Sequence, residues 1–384
     1  MIYLDNCATT KVRQEVLEKM YDSFNSDFGN PSSLHRLGLK SEKRVEETRN
    51  ILGRFLGVSS KEIYFTSGGT ESNNIAIQSI VNNMRRRGNH IITTKIEHSS
   101  VLNTMKFLEK NGFNVTYLST DEFGYIDIEE FKEKLTEDTI LVSIIHVNNE
   151  IGSIQNIKKI KEIMKENNSQ ALLHLDGVQS FGKIEFSLRD LGVDTYSFSG
   201  HKVYGPKGIG GLYVNSTLHL NPIIFGGNQE KGLRSGTENV QGIVGLGEAV
   251  RILLDKHVLE AKYVEGLREY MVGKIQREIA DIKLNTLIDK NTSPYILNIS
   301  FRNTRGEVLL HYLEDKGIYV STASACSSRG TEKSHVLKSI GLNDKEIEGA
   351  IRICFSYENT KEDIDYTVEV LKTSVEEIRK IMMR

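Results

Sequence analysis

The sequence predicts an α/β protein: a large domain with a mostly parallel seven-stranded sheet between helices, plus a smaller α+β domain. Three observations predict it. Helix-like and strand-like patterns alternate over the first two thirds of the chain, which is the rhythm of crossover units. The apolar runs are short and continuous, and ten or more charged or amphipathic residues separate most of them. The chain has 384 residues, enough for two to three domains and a sizeable core.

The elements follow in order. Residues 36–57 place Val45, Ile51, Leu52, Phe55 and Leu56 among charges at helical spacing. Strand-like runs come at 62–65, 90–93, 115–118, 140–147, 171–175, 195–198 and 210–214. A long helical stretch covers 239–278, with Gly242, Gly245 and Gly247 near its start, and the domain boundary is expected inside it. Residues 16–257 form the expected large domain. Residues 1–15 and 258–384 form the small one, with elements at 295–300, 306–316, 318–322, 350–355 and 361–381. Arg85, Arg86 and Arg87 end a helical pattern, where positive charge is favourable.

Composition excludes several classes. The 49 Lys and Arg nearly cancel the 51 Asp and Glu, so nucleic acid is not expected as a direct partner. No apolar run approaches the roughly 18 residues of a membrane helix, and no membrane association is expected. The first ten residues lack a basic n-region and carry Asp5, unlike a secretory signal. Cysteines at 7, 326 and 354 make neither a disulfide framework nor a zinc knuckle, so a cytoplasmic location is expected.

Four stretches carry candidate chemistry. At 63–74 a strand runs into Ser67-Gly68-Gly69-Thr70 and then a helix. Glycines admit a ligand to the backbone, and the helix start offers free N–H groups, so this is a phosphate cradle or an ordinary turn with a Thr cap. No Gly-Lys-Ser/Thr follows, so it is no P-loop. At 171–179, His174 and Asp176 share a strand face, and Asp176 stands where the apolar run stops. There an anion could pair with a cationic ring nitrogen, cap the next turn, or join His174 on a metal, although no third ligand is apparent. At 194–211 a strand ends in Ser199-Gly200-His201-Lys202 before a Gly-rich turn that does not match a dinucleotide fingerprint. Lys202 is expected to point into a cleft, where a buried amine can attack a carbonyl. At 318–333 an apolar strand leads into small residues around Cys326, an expected exposed loop thiol. Arg329 and Lys333 would favour its thiolate. Cys7 and Cys354 read as structural.

These residues, with Tyr3-Leu4-Asp5-Asn6, Gly29-Asn30-Pro31-Ser32-Ser33, Glu97-His98, His146-Val147-Asn148-Asn149-Glu150-Ile151-Gly152 and Arg234-Ser235-Gly236-Thr237, resemble the NifS/IscS-type cysteine desulfurases. These are pyridoxal 5'-phosphate (PLP) enzymes of fold type I, in the class V aminotransferase group, and the resemblance runs essentially end to end. It implies that Lys202 holds PLP and that Asp176 pairs with the pyridine nitrogen. Gln179 would bond the phenolic oxygen, and His98 would stack on the ring and act as acid or base. Gly69, Thr70, Ser199 and His201 would hold the phosphate, and Thr237 would reach it from the second subunit of a homodimer. Asn149 and Arg352 would bind the carboxylate of L-cysteine; without the resemblance Arg352 reads as a surface residue. Cys326 would take the sulfur as a persulfide and pass it to an acceptor protein, such as an iron–sulfur scaffold or a tRNA-thiolation enzyme. A selenocysteine lyase, a non-catalytic assembly platform and a nucleotide-binding module are the alternatives.

The sequence departs from that family's usual pattern at three places. Ser321-Thr322-Ala323-Ser324-Ala325-Cys326 has Ala323 where Gly is usual, Cys7 stands where Ala or Ser is common, and Gly177 follows Asp176 where Ala is common.

Overall fold

A computed structural model describes residues 1–322 and 333–382. Its strands are β1 (Ile2–Tyr3), β2 (Ile63–Thr66), β3 (His90–Thr94), β4 (Asn114–Leu118), β5 (Thr139–Ile145), β6 (Leu172–Asp176), β7 (Thr195–Ser199), β8 (Gly210–Val214), β9 (Ile282–Leu284), β10 (Ile296–Phe301), β11 (Ile318–Tyr319), β12 (Ser321–Thr322) and β13 (Ala350–Cys354). Seven of them form the central sheet in the order β2-β8-β7-β6-β5-β3-β4. The pairs from β7 through β4 are parallel, and β8 runs antiparallel to both β7 and β2.

The central strands are almost wholly buried because helices cover both faces. Every residue of β5, Thr-Ile-Leu-Val-Ser-Ile-Ile, is buried. On one face Ile144, Leu173, Leu175 and Phe198 join a core with Leu52, Ile160 and Leu246. On the other, Ile91, Leu141 and Leu212 pack with Ile75, Ile77 and Ile80. The covering helices carry their own start signals. Asn156 accepts the Lys159 N–H ahead of Ile157–Glu166, whose Ile157, Ile160, Ile163 and Met164 are buried. Asn239 likewise accepts the Gly242 N–H ahead of Val240–Glu278.

That long helix changes cores along its length. Val240 to Leu253 pack with the central sheet, whereas Val264 to Ile275 pack with β10, β13, Leu4 and Cys7. A second sheet, ordered β12-β13-β10-β9, lies in the latter cluster's territory, and β1 pairs in parallel with β11. Among the described residues, no helix is long and apolar enough to cross a membrane.

Candidate active site

Strands β5, β6 and β7 end side by side, at Ile145, Asp176 and Ser199. That is the carboxyl edge of the parallel strands, where open α/β sheets bind ligands. A cavity of about 330 Å³ opens there. Gly69, Thr70, His98, Asn149, Asp176, Gln179, Ser199, His201, Lys202 and Arg352 all line it. Thr237 is exposed and outside that lining. Cys326 lies outside the described residues.

Asp176 is buried, and its carboxylate is held from two sides. Oδ2 accepts from Asn73 Nδ2 at 2.8 Å, and Oδ1 accepts from the Val178 N–H at 3.1 Å. It therefore caps the following turn and also faces the cavity. His174 spends both ring nitrogens within the protein, Nδ1 with Thr195 Oγ1 at 2.8 Å and Nε2 with Asn73 Oδ1 at 3.1 Å. Burial pushes its pKa down to about 3, so it is neutral. Among the described residues no group of three metal-ligating side chains occurs.

The helix Gly69–Met84 starts at the cavity, and its first N–H groups have no intrahelical acceptor. Gly68 is the N-cap and makes no side-chain cap, so Thr70 does not cap this helix. A Cβ on Gly69 would come within 2.3 Å of Val178 Cγ2, which explains a glycine here. Glu71 braces the turn by accepting the Ser67 N–H, and Arg234 Nε donates to its other oxygen at 3.0 Å.

His98 caps the helix Ser99–Lys110, its Nδ1 accepting from the Ser100 N–H at 3.1 Å. Burial lowers its pKa; Asp176 opposes that shift, and Lys202 and His335 add to it. Behind it Glu97 accepts from Thr94 Oγ1 and the Ile145 N–H, both at 2.8 Å, and burial pushes its carboxyl up to about 8. Burial also takes His201 down to about 4, with the charges of Lys202, Lys207 and Lys183 adding to the shift.

The N-terminal segment closes the opposite side. Lys202 Nζ donates to the carbonyls of Cys7 and Ala8. Gln179 donates from Nε2 to the Cys7 carbonyl at 3.0 Å and accepts from the buried Lys183 Nζ at 3.0 Å. Arg352 is buried, not on the surface. Its Nη2 donates to Asp5 Oδ1 at 2.9 Å and its Nη1 to the Asn149 carbonyl at 3.0 Å. Asn148 fixes the loop bearing Asn149, accepting the N–H groups of Glu150 and Ile151. Among the described residues, Arg352 Nε and Asn149 Oδ1 are buried without a hydrogen-bond partner.

The structure adds detail at three further residues. Cys7, read as structural, is buried and lines the cavity. Lys333 pairs with Asp344 and Glu348, at 3.1 and 3.0 Å. Gly177 is required by Tyr196, whose ring would lie 1.9 Å from a Cβ there and whose hydroxyl meets Ser180 Oγ and the Gly177 carbonyl. Asn73, Ser100 and Val178 also line the cavity and carried no role in the sequence reading. One available signal was spacing, because Asn73 follows Gly69 by one helical turn.

The donor set suits an anionic, ring-bearing cofactor. A helix start with Thr70, Ser199 and His201 suits a phosphate, Asp176 suits a protonated ring nitrogen, and the unpartnered Arg352 Nε suits a carboxylate. Residues 2–367 match the aminotransferase class-V family, and the chain belongs to it.

Particular relatives narrow the likeness. The cysteine desulfurase IscS of Dictyoglomus turgidum is 43% identical over 380 residues, covering 99% of this chain and 96% of the relative. Among solved structures, a NifS-like protein superimposes with a TM-score of 0.91 at 41% identity, over 97% of this chain and 98% of that one. SspA, solved in complex with cysteine, gives a TM-score of 0.82 at 36% identity, over 94% of this chain and all of SspA.

Proposed function

We propose that this chain is a PLP-dependent cysteine desulfurase, which takes sulfur from L-cysteine, releases L-alanine and forms a persulfide on Cys326. The observation that carries the reading is the convergence of Lys202, Asp176, His98 and Arg352 on one cavity at the sheet edge. The relatives named cysteine desulfurase and the neighbour solved with cysteine support the substrate.

When bound, PLP supplies an electron sink for charge developing on the substrate. Lys202 would anchor it through Nζ, then move a proton at the substrate's α-carbon. Asp176 would hold the proton on the ring nitrogen, Gln179 would donate to the phenolic oxygen, and His98 would lie against the ring and exchange a proton at Nε2. Gly69, Thr70, Ser199 and His201 would hold the phosphate, with Thr237 contributed by a second subunit. Arg352 and Asn149 would take the substrate's carboxylate. The Cys326 thiolate would attack the substrate sulfur, the carbon–sulfur bond would break, and the carbon product would leave as alanine after protonation.

Residues 16–257 would act as the cofactor-holding unit, and residues 1–15 with 258–384 as the unit carrying Cys326. The persulfide would pass to an acceptor protein in a reducing cytoplasm, either an iron–sulfur scaffold or a tRNA-thiolation enzyme. The test is alanine release from L-cysteine by the PLP-loaded protein with a thiol reductant. Wild type should release alanine and sulfide, and Cys326→Ala should keep PLP yet release neither. Full turnover by Cys326→Ala would overturn the role of that thiol.

A further inference from the structure

We infer that Asn73 is a positioning residue of this reaction: its side-chain amide ties Asp176 to His98 through the Ser100 hydroxyl and holds the two groups in a fixed relative orientation. The inference rests on the roles proposed above for Asp176 and His98.

The direction of each bond can be worked out from chemistry. Asn73 Nδ2 has two protons. One goes to Asp176 Oδ2 at 2.8 Å, the other to Ser100 Oγ at 2.9 Å. Ser100 Oγ, having accepted, keeps its own proton for His98 Nδ1 at 2.9 Å. The Ser100 backbone N–H also points at that nitrogen. Nδ1 is therefore an acceptor, and the ring proton of neutral His98 sits on Nε2. At the other end, Asn73 Oδ1 accepts from His174 Nε2, and His174 Nδ1 accepts from the Thr195 hydroxyl. A His174 held neutral by burial can play that part in one tautomer alone.

The amide is also rigid. Asn73, His174 and Thr195 are fully buried. Asn73 sits one turn into the helix whose first residues line the proposed phosphate site, so one element sets the spacing between that site and Asp176. The charged and titratable groups facing His98 are Asp176 from β6, Lys202 after β7 and His335. Asn73 and Ser100 are the neutral links between the first of these and the imidazole.

The test uses Asn73→Leu, Asn73→Asp and Ser100→Ala in the full chain. Nitrogen-15 NMR of the histidines, with and without PLP, reports the tautomer and titration of His98. Alanine release gives kcat and KM. Wild type should show His98 neutral with its proton on Nε2. Ser100→Ala and Asn73→Leu leave the Ser100 backbone N–H on Nδ1, so the proton should stay on Nε2 while the titration shifts, and kcat should fall by about tenfold with KM within about threefold. Asn73→Asp should recover activity as pH falls, because a protonated carboxyl can donate to Asp176 while accepting from His174. Ser100→Ala leaves the core amide in place, so it decides the question if Asn73→Leu does not fold. His98 spectra unchanged in both Asn73→Leu and Ser100→Ala, with kcat within about twofold, would overturn the inference. A wild-type protein that makes no alanine would instead defeat the desulfurase reading, and the histidine spectra would still decide the role of Asn73.

Discussion

Where β5, β6 and β7 end, the polar side chains of the cavity are bonded to one another; where the N-terminal segment meets β13, they are bonded on one side and bare on the other. On the sheet side Asn73, Asp176, His174, Ser100 and His98 form one connected set. Across the cavity Arg352 spends Nη1 and Nη2 on Asn149 and Asp5, while Nε has no partner among the described residues. A connected set is already organised before any ligand arrives, which suits a resident cofactor. A buried donor without a partner is costly and gains most when an anion arrives, which suits a substrate that comes and goes.

The largest effect expected is on the bare side. Arg352→Ala leaves Asp5 and the Asn149 carbonyl without their donor. Breaking a buried pair in this way should cost about 3 kcal/mol of stability and most of the alanine release. Arg352→Lys should keep the charge but lose the fork, raising KM for L-cysteine by about tenfold with a smaller change in kcat. Denaturant melts and steady-state kinetics check both, and an unchanged KM would place the carboxylate elsewhere.

Gly177→Ala tests how rigid the sheet side is. Its Cβ would overlap the fully buried Tyr196 ring. The cost should be about 1–3 kcal/mol, and Tyr196→Leu in the same chain should relieve part of it. Simple additivity of the two changes would mean that the ring moves freely.

The pH dependence of stability should slope in opposite directions on the two sides. His174 titrates near 3 in the fold because of burial, against about 6.5 when unfolded. Its contribution is present above that unfolded value and is lost as pH falls toward 3, because the unfolded chain takes up the proton first. Glu150, buried near Arg352, is pushed up to about 7 by desolvation, which its bond from Ser334 and the charge of Arg352 oppose. Its contribution is full below about 4.3 and is lost as pH rises to 7, because the unfolded chain releases its proton first. His174→Gln should flatten the acid limb of stability against pH, and Glu150→Gln the limb between 4.5 and 7. Chemical melts at stepped pH read both slopes.

The two sides also differ in how much the sequence disclosed. The sheet side was legible because a parallel strand covered on both faces is a mostly apolar run, as in β5, and a charged residue ending such a run stands at the ligand edge, as Asp176 does. Its cross-links were not legible, since Asn73 meets Asp176 across 103 positions and nothing local marks the pair. On the other side, β1 and β9 are two- and three-residue strands that exist by pairing, and no periodicity can announce so short a run. Arg352 looks like a surface residue until Asp5, 347 positions away, is seen beside it. The role proposed for Arg352 rests on the resemblance to the NifS/IscS-type enzymes. Gly177 needed Tyr196, its neighbour on β7, to be understood.

The central claim is that Lys202 is the anchor around which both sides are arranged. The most direct measurement is peptide mass mapping of the PLP-loaded protein after borohydride reduction. The account predicts a pyridoxyl phosphate mass on the peptide containing Lys202, and its loss in Lys202→Ala. The same mass on Lys183 or another lysine, with Lys202 unmodified, would contradict it.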